Sequence, residues 1–226
     1  MIEWLVFSLV LLGIWLVLYL AKPMLRKEML WASILTTPLG LTEPIFVPKY
    51  WTPPSLFDLT AKTGFDIESL IFCFAIGGIA AVLYEAVFKV KHKHMSDAEM
   101  HSPRHRFHKL AIISPVLVFI PLFLLTDINP IYTASIALLV GGVATWLCRP
   151  DLKDNMLIGA GLFTGLYFVF FLFINALVPE FIHSWNLTAI SGVLIAGVPL
   201  EELMFAFTFG LMWSSIYEHV LWHKLG

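Results

Sequence analysis

The sequence predicts an all-α integral membrane fold: seven transmembrane helices, forming two parallel three-helix repeats joined by a connector helix. Composition, the placement of basic residues and an internal duplication predict it. At 226 residues, 59% hydrophobic and 13% charged, with mean hydropathy +0.84, the chain has more apolar surface than a soluble core of this size can hide. Apolar runs near the ~20 residues needed to cross hydrocarbon cover 2–20, 30–47, 67–88, 110–126, 131–148, 156–178 and 200–221.

Seven alternating spans place 21–29, 89–109, 149–155 and the segment after 221 on one side. That side holds 12 of the 14 Lys and Arg; only Lys49 and Lys62 fall opposite. By the positive-inside rule it is cytoplasmic, which predicts a multi-pass protein of the cell membrane with its N-terminus outside and its C-terminus cytoplasmic. The first run lacks a basic n-region and a small-residue cleavage site, so it reads as a retained helix rather than a signal peptide. Cys73 and Cys148 offer neither a disulfide framework nor a CxxC site. The net charge of -2 names no partner, and no nucleic acid is expected.

The duplication shows where Gly64-Phe-Asp-Ile-Glu-Ser-Leu-Ile-Phe is laid on Gly197-Val-Pro-Leu-Glu-Glu-Leu-Met-Phe, 133 positions downstream. Nine of 25 positions are identical, including Glu68 with Glu201 and Tyr84-Glu85 with Tyr217-Glu218. A second match pairs residues 20–30 with 147–157, identical at five of eleven positions. The repeat therefore spans three helices. It divides the chain into 1–90, a basic loop with a connector helix at 91–127, and 128–226. One intervening helix restores orientation, so the repeats are parallel.

The second run is irregular, with Pro38, Gly40, Glu43 and Pro44 in its outer half. Backbone freed by proline at membrane depth must be satisfied by protein or by a cavity. Residues 46–54 and 178–185, rich in aromatics and proline, suit an outer cap or an aromatic belt. The apolar stretch 189–198 is too short to cross and is expected to re-enter. The loop 89–109 carries His92, His94, His101, His105 and His108. Pro103 interrupts helical ligand spacing there, so the loop reads as solvated and lipid-facing, and no metal is expected.

An ionised group at mid-bilayer costs at least ~2.5–3.5 kcal/mol, so intramembrane glutamates read as functional. Glu68, Glu201 and Glu202 lie near the outer ends of their helices, with Glu43 at similar depth. Adjacent helical residues point ~100° apart, so Glu201 and Glu202 cannot serve one target equally. The repeat alignment predicts that Glu68 and Glu201 converge, with Glu202 as supporter or second acid. Glu85 and Glu218 fall near the cytoplasmic interface and read as packing groups, Glu85 pairing with Lys89 at i+4. Phe72 and Phe205, with Trp51 and Trp185 above them, could wall a dry pocket whose ring faces stabilise a cation. An acid, an apolar cavity and aromatic walls suit a polyene.

At Pro199-Leu-Glu-Glu-Leu-Met-Phe and its partner Asp66-Ile-Glu-Ser-Leu-Ile-Phe, the chain resembles the membrane-integral lycopene cyclases, both the heterodimeric or fused bacterial and archaeal forms and the cyclase domain of fungal bifunctional enzymes. The resemblance implies an intramolecular lyase or isomerase that closes rings at the ends of linear carotenoids without net redox change. It carries Glu201 and Glu202 onto the motif glutamates, Glu68 by repeat, and Glu43 as a weaker candidate. Phe72, Phe205, Trp51, Trp185 and Pro199 become the expected substrate-lining residues. Asp66 and Ser69 depart from the motif in the first copy, which puts equal chemistry at two sites in doubt. The implied partners are a lipophilic polyene such as lycopene and the bilayer. No Gly-x-Gly-x-x-Gly turn after a strand is present, so no flavin or nicotinamide is required.

The expected mechanism protonates a terminal double bond, closes a six-membered ring on the cation and removes a proton, with water excluded. A related membrane terpene cyclase or a carotenoid hydratase would use the same acid. A proton-coupled transporter would also contain buried glutamates and repeats, and a non-catalytic carotenoid-binding protein would keep the cavity without needing the acid.

Overall fold

The computed structural model describes residues 3–226; Ile2, where the first apolar run begins, lies outside them. Helix α1 (Glu3–Ala21) ends at a proline-led 3-10 turn, Pro23–Leu25, which sends the chain back into α2 (Arg26–Thr36). A 3-10 stretch, Thr37–Thr42, links α2 to α3 (Glu43–Phe46), and after an outer segment α4 (Leu59–Thr63) leads into α5 (Glu68–Phe88). Strand β1 (His92–His94), α6 (Asp97–Met100) and α7 (His108–Leu125) follow. Then come α8 (Pro130–Cys148), a second proline-led turn at Pro150–Leu152, and α9 (Lys153–Leu177). The chain ends with β2 (Leu194–Ile195), β3 (Val198–Pro199), α10 (Leu200–Trp213), α11 (Ile216–Leu221) and β4 (His223–Leu225).

Five helical stretches among the described residues are long and apolar enough to cross a membrane: Glu3–Ala21, Glu68–Phe88, Pro103–Leu125, Pro130–Cys148 and Pro150–Leu177. The other two expected spans are interrupted. In 30–47 the helix tightens to 3-10 from Thr37, where Pro38 and Pro44 each remove a backbone donor and Gly40 weakens helix propensity. In 200–221 the helix breaks between α10 and α11 at Ser214-Ser215, buried side chains whose hydroxyls bond to the Asn155 and Met212 carbonyls instead of water.

Close helix contact, rather than water exclusion, is what holds helices together in a bilayer, and small residues permit it. Helix α5 packs on α1 and α2, and α10 packs on α8 and α9. At Gly210 an added Cβ would stand 2.9 Å from the Ala160 Cα. Gly77, at the corresponding place on α5, faces Thr36 and Ala32 of α2. Helix α7 packs on α8 while exposing Ile113, Val116, Leu117, Ile120 and Leu124, a face suited to lipid.

The two ends of the bundle are tied by short antiparallel pairings. At one end β1 pairs with β4, His92 opposite Leu225 and His94 opposite His223. Lys89 and Trp222, the C-caps of α5 and α11, both take the left-handed conformation (φ 55° and 58°) that turns the chain into these strands. At the other end Trp51 bridges Trp185, flanked by Thr52 N–H donating to the Ser184 carbonyl at 2.7 Å.

Two expectations are corrected. The stretch 189–198 is not a simple re-entrant run: β2 and β3 form a hairpin whose turn residues, Ala196 and Gly197, both have positive φ (51° and 84°), the backbone a two-residue hairpin turn demands. The histidine loop is not freely solvated either. His92 is only partly exposed and bonded to Glu218, and His108 is buried, stacked on Trp222 at 3.7 Å. Pairing of β1 with β4 folds this loop across the bundle end.

Candidate active site

Both glutamate-bearing helices begin at these residues: Glu68 opens α5, and Glu201 and Glu202 occupy the first turn of α10. Unpaired N–H groups and the helix dipole favour acidic groups in a first turn, so the positions are locally sensible before any function is invoked. Pro199, at the N-cap of α10, lies in β3 and is buried. It fixes the direction in which the two glutamates leave the hairpin.

Glu202 is the most heavily bonded. Its Oε1 accepts from the Tyr50 hydroxyl at 2.5 Å and from Trp185 Nε1 at 2.8 Å, and its Oε2 accepts from the Tyr167 hydroxyl at 2.8 Å. The side chain is fully enclosed by aromatic rings. Trp51 stands 6.1 Å from Trp185, Phe171 5.5 Å from Trp185 and 4.9 Å from Tyr167, and Phe72 and Phe205 flank Tyr167 at 6.2 and 6.4 Å. The four expected aromatics thus assemble around Glu202. Trp4 of α1 closes the wall, 4.8 Å from Trp51 and 5.1 Å from Phe72.

Glu201 points elsewhere, as the ~100° step requires. Its Oε1 accepts from the Tyr132 hydroxyl of α8 at 2.5 Å and from Ser191 N–H at 2.9 Å. Its Oε2 is buried without a hydrogen-bond partner. Further along α10, Met204 and Phe207 are exposed on the apolar surface.

The first half supplies Glu68, Glu43 and Asp66. Glu68 Oε1 accepts from Leu56 N–H at 2.6 Å while Oε2 is buried and unpartnered. Asp66, fully buried, accepts from the Thr60 hydroxyl and from Ser69 N–H, both at 2.6 Å, and so anchors the start of α5. Glu43 is buried beside Trp51, Ser69 and Asp66. Its Oε1 also lacks a partner. The bonds of Glu68 and Glu201 lead to different segments, Leu56 in one case and Tyr132 with Ser191 in the other.

Sequence reasoning passed over Tyr50, Tyr132 and Tyr167. Tyr50 lies inside the 46–54 cap, but nothing in its neighbours marks it as a glutamate donor. Tyr132 and Tyr167 sit in long apolar helices where a tyrosine reads as packing. The one signal they carry is their chemistry, since a buried carboxylate needs a hydroxyl or N–H donor and tyrosine supplies one from an apolar helix.

Two other groups of ligating side chains lie at the opposite end. Cys148 Sγ is 3.6 Å from both His105 Nδ1 and His108 Nδ1. Glu28, Glu85, Glu218 and His92 form the second group. Glu85 is buried here instead of pairing with Lys89, because Lys89 leaves the helix at its left-handed cap.

Residues 129–220 match the family model described as lycopene cyclase. No curated protein and no solved structure matches the chain. The match begins at the N-cap of α8 and ends within α11, taking in Tyr132, Tyr167, Trp185, Glu201 and Glu202. Over this segment, which carries both glutamates of α10, the chain is similar to the lycopene cyclase family.

Proposed function

We propose that this protein cyclises the end groups of a linear carotenoid, lycopene or a close relative, through an acid-initiated carbocation. The observation that carries the reading is the division of labour between adjacent glutamates in the family segment. Glu201 holds a buried oxygen that no donor occupies, and Glu202 is saturated by three donors inside an aromatic enclosure.

A proton donor needs an oxygen whose hydrogen can face substrate. Glu201 Oε2 meets this, as do Glu43 Oε1 and Glu68 Oε2. In the proposed sequence Glu201 gives its proton to the terminal double bond, leaving a tertiary cation. The neighbouring double bond closes a six-membered ring, and the cation moves to a ring carbon. A carboxylate then takes a proton from the adjacent carbon, so mass is unchanged and no electrons are exchanged. Glu43 and Glu202 are the candidates for this second role, and Phe72, Phe205, Trp51 and Trp185 present ring faces to positive charge. Tyr50, Tyr167 and Trp185 hold Glu202 in place. Packing of these rings keeps water, which would trap the cation as an alcohol, away. Access is from the lipid side along α10, where Met204 and Phe207 are exposed.

The same reading takes the chain as seven spans, with the two interrupted helices completing the count, and its halves as parallel repeats about a pseudo-two-fold axis. Support comes from both ends of the bundle. An antiparallel pair has a local two-fold, and repeat equivalents face each other in one, His92 opposite Leu225, 133 positions apart; at the other end Trp51 of the segment 46–54 faces Trp185 of its counterpart 178–185. The left-handed caps Lys89 and Trp222 are also 133 apart. A proton-coupled transporter is disfavoured by the apolar layer between the two ends, where Ile76, Ile79, Ala206, Phe209 and Met212 are buried.

Expression in lycopene-accumulating cells tests the reading, with pigments resolved by chromatography and mass spectrometry. An isomer of unchanged mass with a cyclic end group is expected, abolished by Glu201→Gln and reduced by Glu202→Gln and Glu43→Gln. Well-expressed wild-type protein that leaves lycopene unchanged overturns it.

A further inference from the structure

The end of α5 opposite Glu68 lies 17 residues away, about 25 Å along the helix. There Glu85 meets Glu28 of α2, Glu218 of α11 and His92 of β1. The three glutamates are at most 2% exposed. One donor atom from each of the four side chains lies within 4.8 Å of every other. His92 Nε2 is 2.5 Å from Glu218 Oε1 and 3.5 Å from Glu28 Oε2. Asn155 Nδ2 is 3.5 Å from Glu85 Oε1.

These contacts leave much unanswered. Both Glu28 oxygens, Glu85 Oε2, Glu218 Oε2 and Asn155 Oδ1 are buried without a hydrogen-bond partner. Buried polar atoms are normally satisfied, and four unpartnered carboxylate oxygens on three neighbouring glutamates call for a cation. The neighbouring basic groups are engaged. Arg149 is bidentate on Asp151 and donates to the Glu218 and His223 carbonyls, and Lys22 Nζ donates to the Ala86 carbonyl at 2.6 Å. One imidazole cannot balance three carboxylates away from water.

We propose that Glu28, Glu85, Glu218 and His92 bind one divalent transition-metal ion. Ligands on opposite sides of one ion stand about 4.0–4.2 Å apart at bond lengths near 2.0–2.1 Å, so the 4.8 Å spread closes with small side-chain rotations. Magnesium and calcium take oxygen ligands. An imidazole among carboxylates instead selects the Mn²⁺, Fe²⁺ or Zn²⁺ class. His92 coordinates through Nε2, which requires its proton on Nδ1. The ion joins α2, α5, α11 and β1, and so clamps both halves of the chain at the end away from the Glu201–Glu202 site.

Detergent-purified protein, stripped with EDTA and desalted, is titrated with Mn²⁺, free Mn²⁺ being read by electron paramagnetic resonance. One ion per chain is expected, with affinity at least about tenfold weaker in Glu28→Gln and Glu218→Gln and unchanged in the control Glu180→Gln, an exposed carboxylate at the other end of the bundle. X-ray absorption of the Mn²⁺- and Zn²⁺-loaded wild-type protein gives a readout that needs no variant, with oxygen and nitrogen scatterers only. Absence of stoichiometric Mn²⁺ and Zn²⁺ binding by the wild type overturns the proposal. So does a sulfur scatterer, or binding that survives both glutamine variants and is lost in Cys148→Ser, since either places the ion at His105, His108 and Cys148.

Discussion

The Tyr50 hydroxyl donates to Glu202 Oε1 at 2.5 Å, joining the outer cap of the first half of the chain to a helix start in the second across 152 positions. Both groups are buried, so the bond works in a low-dielectric setting where an unmade partner is costly. Tyr50→Phe removes one of three donors to Glu202 and keeps the ring. Loss of a hydrogen bond to an ionisable group costs about 1.5–3 kcal/mol. The variant should unfold at lower temperature in a thermal melt in detergent, and per-molecule carotenoid turnover should fall. An unchanged melt together with unchanged turnover would show that Tyr50 does not organise Glu202.

Tyr132→Phe probes the other glutamate. Its hydroxyl and Ser191 N–H share Glu201 Oε1, which leaves Oε2 free. Removing the hydroxyl frees the carboxyl to turn within its site. Product formation should drop by about 10- to 100-fold, the scale of a mispositioned general acid, with fold and expression retained because Ser191 still bonds. The check is initial rate in membranes at matched protein level. A drop no larger than twofold removes Tyr132 from the positioning role.

Helix contacts give a stability prediction that does not depend on function. A Cβ at Gly210 would sit 2.9 Å from the Ala160 Cα, and one at Gly40 would sit 2.7 Å from the Ser69 carbonyl oxygen. Backbone cannot yield as a flexible side chain does. Gly210→Ala and Gly40→Ala should each destabilise by about 1–3 kcal/mol, as overpacking does, while Gly161→Ala, with open space around it, should be neutral or slightly stabilising. Midpoints of denaturant unfolding in mixed micelles measure all three.

Much of the fold was legible because the bilayer imposes length and apolarity on each helix, and the five uninterrupted helices follow the expected runs closely. Pro38, Gly40 and Pro44 announced the break in the second run, whereas Ser214-Ser215 gave no such notice, since only packing brings the Asn155 carbonyl to the Ser214 hydroxyl. The glutamates themselves stood out as charges in apolar sequence. What surrounds them did not. Which groups meet Glu202 depends on where the cap 46–54 folds back, and the tyrosine donors arrive from a helix 35 positions distant and from that cap, 152 positions distant. The Glu28–Glu85–Glu218 cluster was hidden for the same reason. Each member alone reads as an interfacial carboxylate, and only pairing of β1 with β4 brings His92 over them.

The folded-over histidine loop predicts a pH response. Glu99, in α6, accepts from Lys224 and from Ser96 N–H at 3.0 Å, so the loop and β4 are held together by an exposed ion pair beside their strand pairing. The Lys224 hydrogen bond, followed by those from Ser96, lowers the Glu99 carboxyl from its ordinary 4.5 to about 2. A carboxyl depressed on folding stabilises the docked loop above its unfolded value, and that contribution is lost as pH falls from about 4.5 toward 2. At neutral pH the tie is fully present, and salt weakens it because it is exposed. Amide exchange across 91–100, followed by mass spectrometry between pH 6 and 3 and corrected for intrinsic rates, should show protection falling with acid in the wild type. Glu99→Gln should start lower at pH 6 and change little on acidification. Parallel curves for the two proteins would exclude the Glu99–Lys224 pair as the source of the response.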